Sequence, residues 1–394
     1  MQVGVLALSG LLPPAVANLI LLAASFALLL VGAEIFTNGV EWLGHRLGVS
    51  ESATGSILAA VGTALPETMI PVIAIVRGVL TGDTSAAENV GVGAILGAPF
   101  MLATIAMFLI GASVLYFSDR RRHGEHFKFN ATSTRRDLRF FLLGFTLAFV
   151  AALVPSSLAL GPVAVTDLIG VVLILLYLVY VYQSLQAGGL IEEEGLESLY
   201  MGAVFERIEG TYREPDDTRD HADDPHRLLV FFQTVLALGI IVFGAHLFVD
   251  EVSYFAVEVL HFPTAVLALL IAPLATELPE KFNSVIWISR DKDTLAIGNI
   301  TGAMAFQSTL PVTLGIVFTS WNLTLVWGTA GFLNALSAIL AIVSGGILYL
   351  RARSTGEGDM RPLPFLVGGV FYVLFIGIVL YHVLVIGISV SGGH

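Results

Sequence analysis

The chain has 394 residues, 56% of them from the AVILMFWYC set and only 13% charged, and its mean hydropathy is +0.85. That balance excludes a soluble enzyme, a nucleic-acid binder and a disordered chain, and leaves an integral protein of the lipid bilayer. The net charge is −12, but residues 188–227 alone hold twelve acids and four arginines, so the apolar remainder is close to neutral; there is no cysteine, and therefore no disulfide or thiolate metal site.

Apolar runs long enough to cross a bilayer fall near 17–37, 53–77, 87–117, 139–158 and 165–186, then near 228–249, 263–289, 295–319, 321–350 and 363–387. The expected fold is an all-α integral membrane protein of about ten transmembrane helices. Three regions follow from this reading. Residues 1–187 form a first membrane repeat (spans one to five), with a basic loop at 118–139. Residues 188–227 form an acidic linker, and residues 228–394 a second repeat (spans six to ten). The linker lacks the Asp-x-Asp-x-Asp-Gly spacing of a calcium-binding loop and reads as solvated. Of the 19 basic residues, all but Arg77 and Lys281 fall in loops after odd-numbered spans. The positive-inside rule then puts those loops in the cytoplasm and both termini outside the cell membrane.

The two halves repeat each other. Gly32-Ala33-Glu34-Ile35-Phe36 matches Gly244-Ala245-His246-Leu247-Phe248, and Thr63-Ala64-Leu65-Pro66-Glu67 matches Thr276-Glu277-Leu278-Pro279-Glu280. Gly93 and Gly97 in span three have counterparts in Gly298 and Gly302 in span eight. Those glycine pairs read as packing positions that let helix backbones approach. Five spans per half is an odd number, so the halves cross the membrane in opposite directions. Inverted repeats of this kind build secondary transporters whose site lies at the midplane.

Leu-Pro-Glu within an apolar span is costly twice. Each proline removes a backbone hydrogen bond, freeing the carbonyl of Gly62 or Ala275, and each carboxylate costs about 2.5–3.5 kcal/mol at the bilayer centre on insertion scales. Thr63 lies four residues before Glu67 and Thr276 four before Glu280, so a hydroxyl and a carboxylate share one helical face. Hard cations such as Na⁺ and Ca²⁺ favour this oxygen-only set. Glu277 adds a third carboxylate, and three cannot all stay ionised without compensation. Two remedies are open: an ion pair with Lys281 four residues on, or protonation, with Glu277 as a proton carrier. Glu34 and His246 occupy equivalent positions in spans one and six, where the histidine could respond to pH or simply bond to backbone.

These motifs resemble those of the sodium/calcium exchanger family, part of the cation/Ca²⁺ antiporter superfamily built from two inverted five-helix repeats. Gly39-Val-Glu-Trp-Leu-Gly44 and Val61-Gly-Thr-Ala-Leu-Pro-Glu67 are similar to its first repeat, and Ala275-Thr-Glu-Leu-Pro-Glu280 and Gly298-Asn-Ile-Thr-Gly302 to its second. The resemblance implies that Glu67, Glu280, Thr63 and Thr276 hold the transported cation. The ligand positions diverge: the serine of each family motif is Ala64 in one half and Glu277 in the other. The family's Gly-Ser-Asn-Ile-Phe-Asn stretch reads Gly97-Ala-Pro-Phe-Met-Leu102 and Gly302-Ala-Met-Ala-Phe-Gln307, where Gln307 alone keeps a polar side chain at a ligand position.

The expected function is secondary antiport by alternating access, spans one and six sliding past the core. A cation such as Ca²⁺ would exchange against Na⁺ or H⁺, with inorganic cations as partners, no bound cofactor and no nucleic acid. The alternatives are a proton-coupled exchanger of altered specificity and, further off, an intramembrane enzyme or a channel. No His-x-x-x-His pair occurs in a span, and the symmetric paired motifs fit exchange better than an enzyme's single asymmetric cluster.

Overall fold

The computed structural model describes residues 13–64, 68, 95–155, 157–186, 196–202, 225–255, 274, 277–319, 321–323, 325–355 and 358–387. Glu67, Thr276 and Gly93 lie outside the described residues. Helices make up nearly everything described: α1 (Pro14–Leu47), α2 (51–64), α3 (Ile95–Tyr116), α4 (Ala131–Ala151), α5 (Val165–Gln186) and α6 (Arg227–Tyr254). They continue with α7 (Leu278–Ser289), α8 (Asp293–Gln307), α9 (Leu310–Phe318), α10 (Ala330–Ser354) and α11 (Leu363–Tyr381). Two-residue strands only tie loops together: β1 (Phe127–Lys128) pairs antiparallel with β4 (Asp359–Met360), and β2 (Ala159–Leu160) with β3 (Val163–Ala164). Among the described residues, seven helical stretches are long and apolar enough to cross a membrane. The fold is all-α and membrane-spanning.

The outer faces are apolar. Leu19, Val31, Leu175, Phe231, Phe243, Val370 and Val373 are exposed, while Asn18, Asp137, Glu277, Glu280, Lys281 and Asn299 are buried. That distribution suits a chain whose surroundings are lipid: polar groups find partners inside and hydrocarbon faces out.

α8 is the axis of the interior. Every residue from Asp293 to Gln307 except Thr294 is buried, and α2, α3, α4 and α7 pack around it. A helix enclosed on all sides needs small residues where neighbours cross. A Cβ on Gly302 would lie 2.1 Å from the Ser56 carbonyl oxygen, and one on Gly298 3.1 Å from Ser56 Oγ. At this crossing α2 is wound as a π-helix over Thr54–Ala59. Gly97 differs, since no described residue lies within 4 Å of a Cβ built there. α8 stops at Ser308 and restarts as α9, with Pro311 in the first turn of the new helix.

α1 and α6 pack along one another as a pair. Repeat-related glycines face the partner helix reciprocally: a Cβ on Gly32 would meet Ile240 and Ile241, and one on Gly244 would meet Leu29. α1 runs to Leu47, well past the expected end at residue 37. It is closed by Gly48 at φ +64, a left-handed cap that favours glycine. α4 begins at Ala131 where a start near 139 was expected. Asn130 caps it by accepting from the Thr132 and Ser133 amides at 3.1 and 3.0 Å. Its charged first turns are held internally, with the Asp137 carboxylate accepting from Ser56 Oγ at 2.6 Å, Thr301 Oγ1 at 2.8 Å and Arg136 Nη2 at 3.1 Å. α10 starts at Ala330 where 321 was expected, capped by Thr329 Oγ1, which accepts from the Phe332 amide.

One face carries the basic loops. Arg121 is buried there and forks onto Asp293, Nη1 to Oδ1 at 2.8 Å and Nη2 to Oδ2 at 2.7 Å, with a further bond to the Ile288 carbonyl. Within the acidic linker, the described residues 196–202 are docked on α1 and α6. Asn38 donates to the Ser198 carbonyl, Trp42 Nε1 donates to the Glu197 carbonyl at 2.8 Å, and the Met201 amide donates to Gln233 Oε1 at 2.8 Å. Arg290, just past α7, bonds Glu34 and the Tyr200 hydroxyl. Lys292 and Trp287 both bond Glu41. Partial burial and the hydrogen bond to Glu34 push the Tyr200 phenol up to about 12, so it remains a donor. Glu34 and His246, matched in the sequence, differ here: Glu34 is tied to Arg290, and His246 is exposed on α6.

Two outcomes are expected from this packing. Gly302→Ala forces a methyl into the Ser56 backbone, and overpacking of this kind costs about 1–3 kcal/mol or more. Its melting temperature in detergent should fall, and Gly97→Ala should leave it unchanged. At the basic face, a hydrogen bond from His126 Nδ1 at 2.7 Å holds the Asp359 carboxyl below the usual carboxylate range. A lowered value stabilises above the unfolded pKa, near about pH 4, and the benefit is lost as pH falls through the folded value. Both side chains are 48% exposed, so the effect stays below about 1 kcal/mol. Asp359→Asn should therefore melt slightly below the parent at pH 6, with the difference closing under acid.

Candidate functional site

The proline that opens α7 decides where the second-half carboxylates sit. Pro279 stands in the first turn, where its missing amide is no loss, so the helix begins at Leu278 with Glu277 at the N-cap and Glu280 in the first turn. A helix N-terminus carries partial positive charge and favours carboxylates beside it. Glu277, Glu280, Lys281 and Ser284 recur at helical spacing, and all four are buried, along with Asn283.

Asn299 on α8 joins the two halves of the chain. Its Nδ2 donates to the Glu280 carbonyl at 3.1 Å and to Ser284 Oγ at 3.2 Å, and its Oδ1 lies 3.4 Å from Thr63 Oγ1 on α2. Thr63 also donates to the Ala59 carbonyl at 3.0 Å. A first-half threonine and the backbone of a second-half glutamate are thus held by one amide at a site with no solvent access: Thr63, Glu280 and Asn299 are each 0% exposed.

The third carboxylate is neutralised within its own helix. Lys281 Nζ lies 3.2 Å from Glu277 Oε2 and 3.1 Å from the Glu277 carbonyl, with side chains 2% and 1% exposed. Glu277 Oε1 has no hydrogen-bond partner among the described residues, nor do the amide atoms of Asn283 and Gln307. Buried amides and carboxylates without partners are costly, and their oxygens are the ligand type that hard cations take. Gln307 sits about two turns beyond Asn299, at the break between α8 and α9. Glu67 and Thr276 lie outside the described residues, so of the six expected ligands the structure describes four: Thr63, Glu277, Glu280 and Gln307.

Three polar residues of this region had no role in the sequence reading. Asn299 belonged to a motif whose glycines drew attention, and Asn283 and Ser284 follow Leu-Pro-Glu at helical spacing. A search for buried-face polar residues at i+3 and i+4 from Glu280 would have found the last two.

The sodium/calcium exchanger protein family matches residues 17–186 and 229–384. A curated relative, the sodium/calcium exchanger MaX1 of Methanosarcina acetivorans, is 23% identical over 299 residues, 73% of this chain and 79% of that protein. An uncharacterized membrane protein of Methanocaldococcus jannaschii is 34% identical over 94 residues, 23% of this chain and 31% of that one. Among solved structures, the sodium-calcium exchanger NCX_Mj soaked with 10 mM Na⁺ and zero Ca²⁺ superposes with a TM-score of 0.65 at 17% identity, covering 92% of this chain and 99% of the other. The same exchanger soaked with 2.5 mM Na⁺ and 0.1 mM Ca²⁺ gives 0.65 at 17% identity, over 93% and 99%. At that identity the likeness establishes the fold. Together with the match along both halves, it makes this chain a member of the sodium/calcium exchanger family, a family of membrane cation antiporters and not of enzymes.

Proposed function

We propose that this protein exchanges Ca²⁺ against Na⁺ across the cell membrane by alternating access. The cation is held between the halves by Glu67 and Glu280 with Thr63 and Thr276, and with further oxygens from Glu277 and Gln307. The observation that carries the reading is the Asn299 bridge. It ties the Glu280 carbonyl and the Thr63 hydroxyl to one buried amide between α2 and α7. A curated relative bearing the name sodium/calcium exchanger supports the choice of ions.

In this reading the two five-span halves are inverted repeats, and α1 and α6 slide together past α2, α3, α7 and α8. The basic face lies in the cytoplasm and both termini lie outside. The ties from Glu34 and Glu41 to Arg290, Lys292 and Trp287 hold the sliding pair to the core on the cytoplasmic side. They break when that side opens.

A second reading, with H⁺ as the counter-ion, is favoured by one observation: a third buried carboxylate, Glu277, stands within one helical turn of Glu280. The two are separated by uptake of radioactive Ca²⁺ into proteoliposomes under an outward Na⁺ gradient or a pH gradient. Saturable uptake that requires internal Na⁺ is the expected result. Glu67→Gln and Glu280→Gln should each reduce it by more than about tenfold, a loss of about 1.4 kcal/mol or more. Full activity in either variant would overturn the assigned site. Uptake that follows the pH gradient without Na⁺ would replace the first reading with the second.

A further inference from the structure

The buried amide side chains among the described residues fall into two groups. Asn18, Asn38, Gln233 and Asn299 each donate a hydrogen bond. Asn283 and Gln307 make none through either polar atom, although they are 0% and 2% exposed. A buried amide in that condition lowers stability and calls for a reason. Gln307 is already among the expected cation ligands. Position supplies a reason for Asn283. Glu280, Asn283 and Trp287 follow one another at spacings of three and four, so they lie in line along one face of α7. Glu280 begins that line at the candidate site. Trp287 ends it at the basic face, where its Nε1 donates to Glu41 Oε1 on α1 at 2.7 Å. The polar side chains beside Asn283 are committed elsewhere. Lys281 turns back to Glu277, while Ser284 donates to the Ala296 carbonyl at 3.1 Å and accepts from Asn299 at 3.2 Å. Asn283 is thus the uncommitted polar group between Glu280 and the Trp287–Glu41 bond.

We propose that Asn283 is a transit subsite for the transported hard cation, one helical turn from Glu280 toward the basic face. The inference rests on the exchanger reading above and adds a station to the ion's route. An amide oxygen is a ligand that such cations accept in place of water, so Oδ1 takes the ion and Nδ2 donates to a water that the ion keeps. The amide carries no charge. It therefore offers the ion a place to pause without holding it as a carboxylate does, and passage requires binding weak enough for release. The unmet hydrogen bonds of Asn283 are the consequence of keeping that oxygen free. When the Trp287–Glu41 bond parts, Asn283 is the first free oxygen that an ion meets along this face of α7. The assignment is independent of the charge state of Glu277 and Glu280.

The test is the initial rate of Na⁺-driven Ca²⁺ uptake into proteoliposomes, measured beside melting in detergent free of both ions. Leucine is close to asparagine in size and has no polar side-chain atoms to satisfy. Asn283→Leu should therefore melt at or above the wild-type temperature, while its uptake falls severalfold. If that variant does not assemble, Asn283→Ser and Asn283→Ala supply the test. They leave similar space and differ by one oxygen, and the serine variant should transport severalfold faster. Wild-type uptake in Asn283→Leu, or equal uptake in the serine and alanine variants, would overturn the subsite, the amide then holding water only. A leucine variant that lost melting temperature and uptake together would also overturn it, since that is the behaviour of a packing residue. Each of these results leaves the exchanger reading standing. Absence of any cation-coupled uptake in the wild type would overturn both.

Discussion

Hydrocarbon offers no hydrogen bonds, and every polar group that this chain carries into the membrane must find its partner within the protein. That constraint explains the central position of α8. Its small residues let α2 approach closely enough for the Ser56 backbone to lie against Gly298 and Gly302. The same approach brings Ser56 and Thr301 to the Asp137 carboxylate. Between Gly298 and Thr301, the same helix offers an amide, Asn299, to Thr63 and to the Glu280 backbone. The packing of α8 and the placement of the candidate ligands are therefore one arrangement. A change that thickens the crossing also moves the oxygens.

Much of the helical architecture was legible in the sequence because a long apolar run has few alternatives. The helix from Val165 to Gln186 coincides with the expected run at 165–186. The boundaries that differ do so for local reasons that hydropathy does not register. α4 starts in a charged stretch because Asn130 caps it and because Asp137 is satisfied by residues more than 80 and 160 positions away in the chain. α1 runs on to a glycine that is able to end it. The basic loop 118–139 also buries Arg121 against Asp293. No spacing rule links residues so far apart. Likewise the acidic linker read as solvated, yet residues 196–202 lie across α1 and α6, held largely through backbone groups that composition does not reveal.

Of the candidate site, the sequence supplied the carboxylates, since an acid beside a proline in an apolar span is conspicuous. It did not supply the amides. Asn299 and Asn283 are ordinary in composition, and they matter only because α7 and α8 pack side by side. Lys281 was visible as a helical neighbour of Glu277, but the choice between an ion pair and a free proton carrier depends on a side-chain conformation. Here the lysine turns toward the N-cap rather than away from it.

The turn after α1 ties the end of that helix closely to α2. Only Gly48, Val49 and Ser50 separate the end of α1 from the start of α2, and Ser50 is already committed to capping the latter through the Ala53 amide. Drawn straight, that link spans about 13 Å between Leu47 and Glu51. α1 is thus leashed at one end to α2. Whatever else shifts, Leu47 and Glu51 stay within that reach of each other.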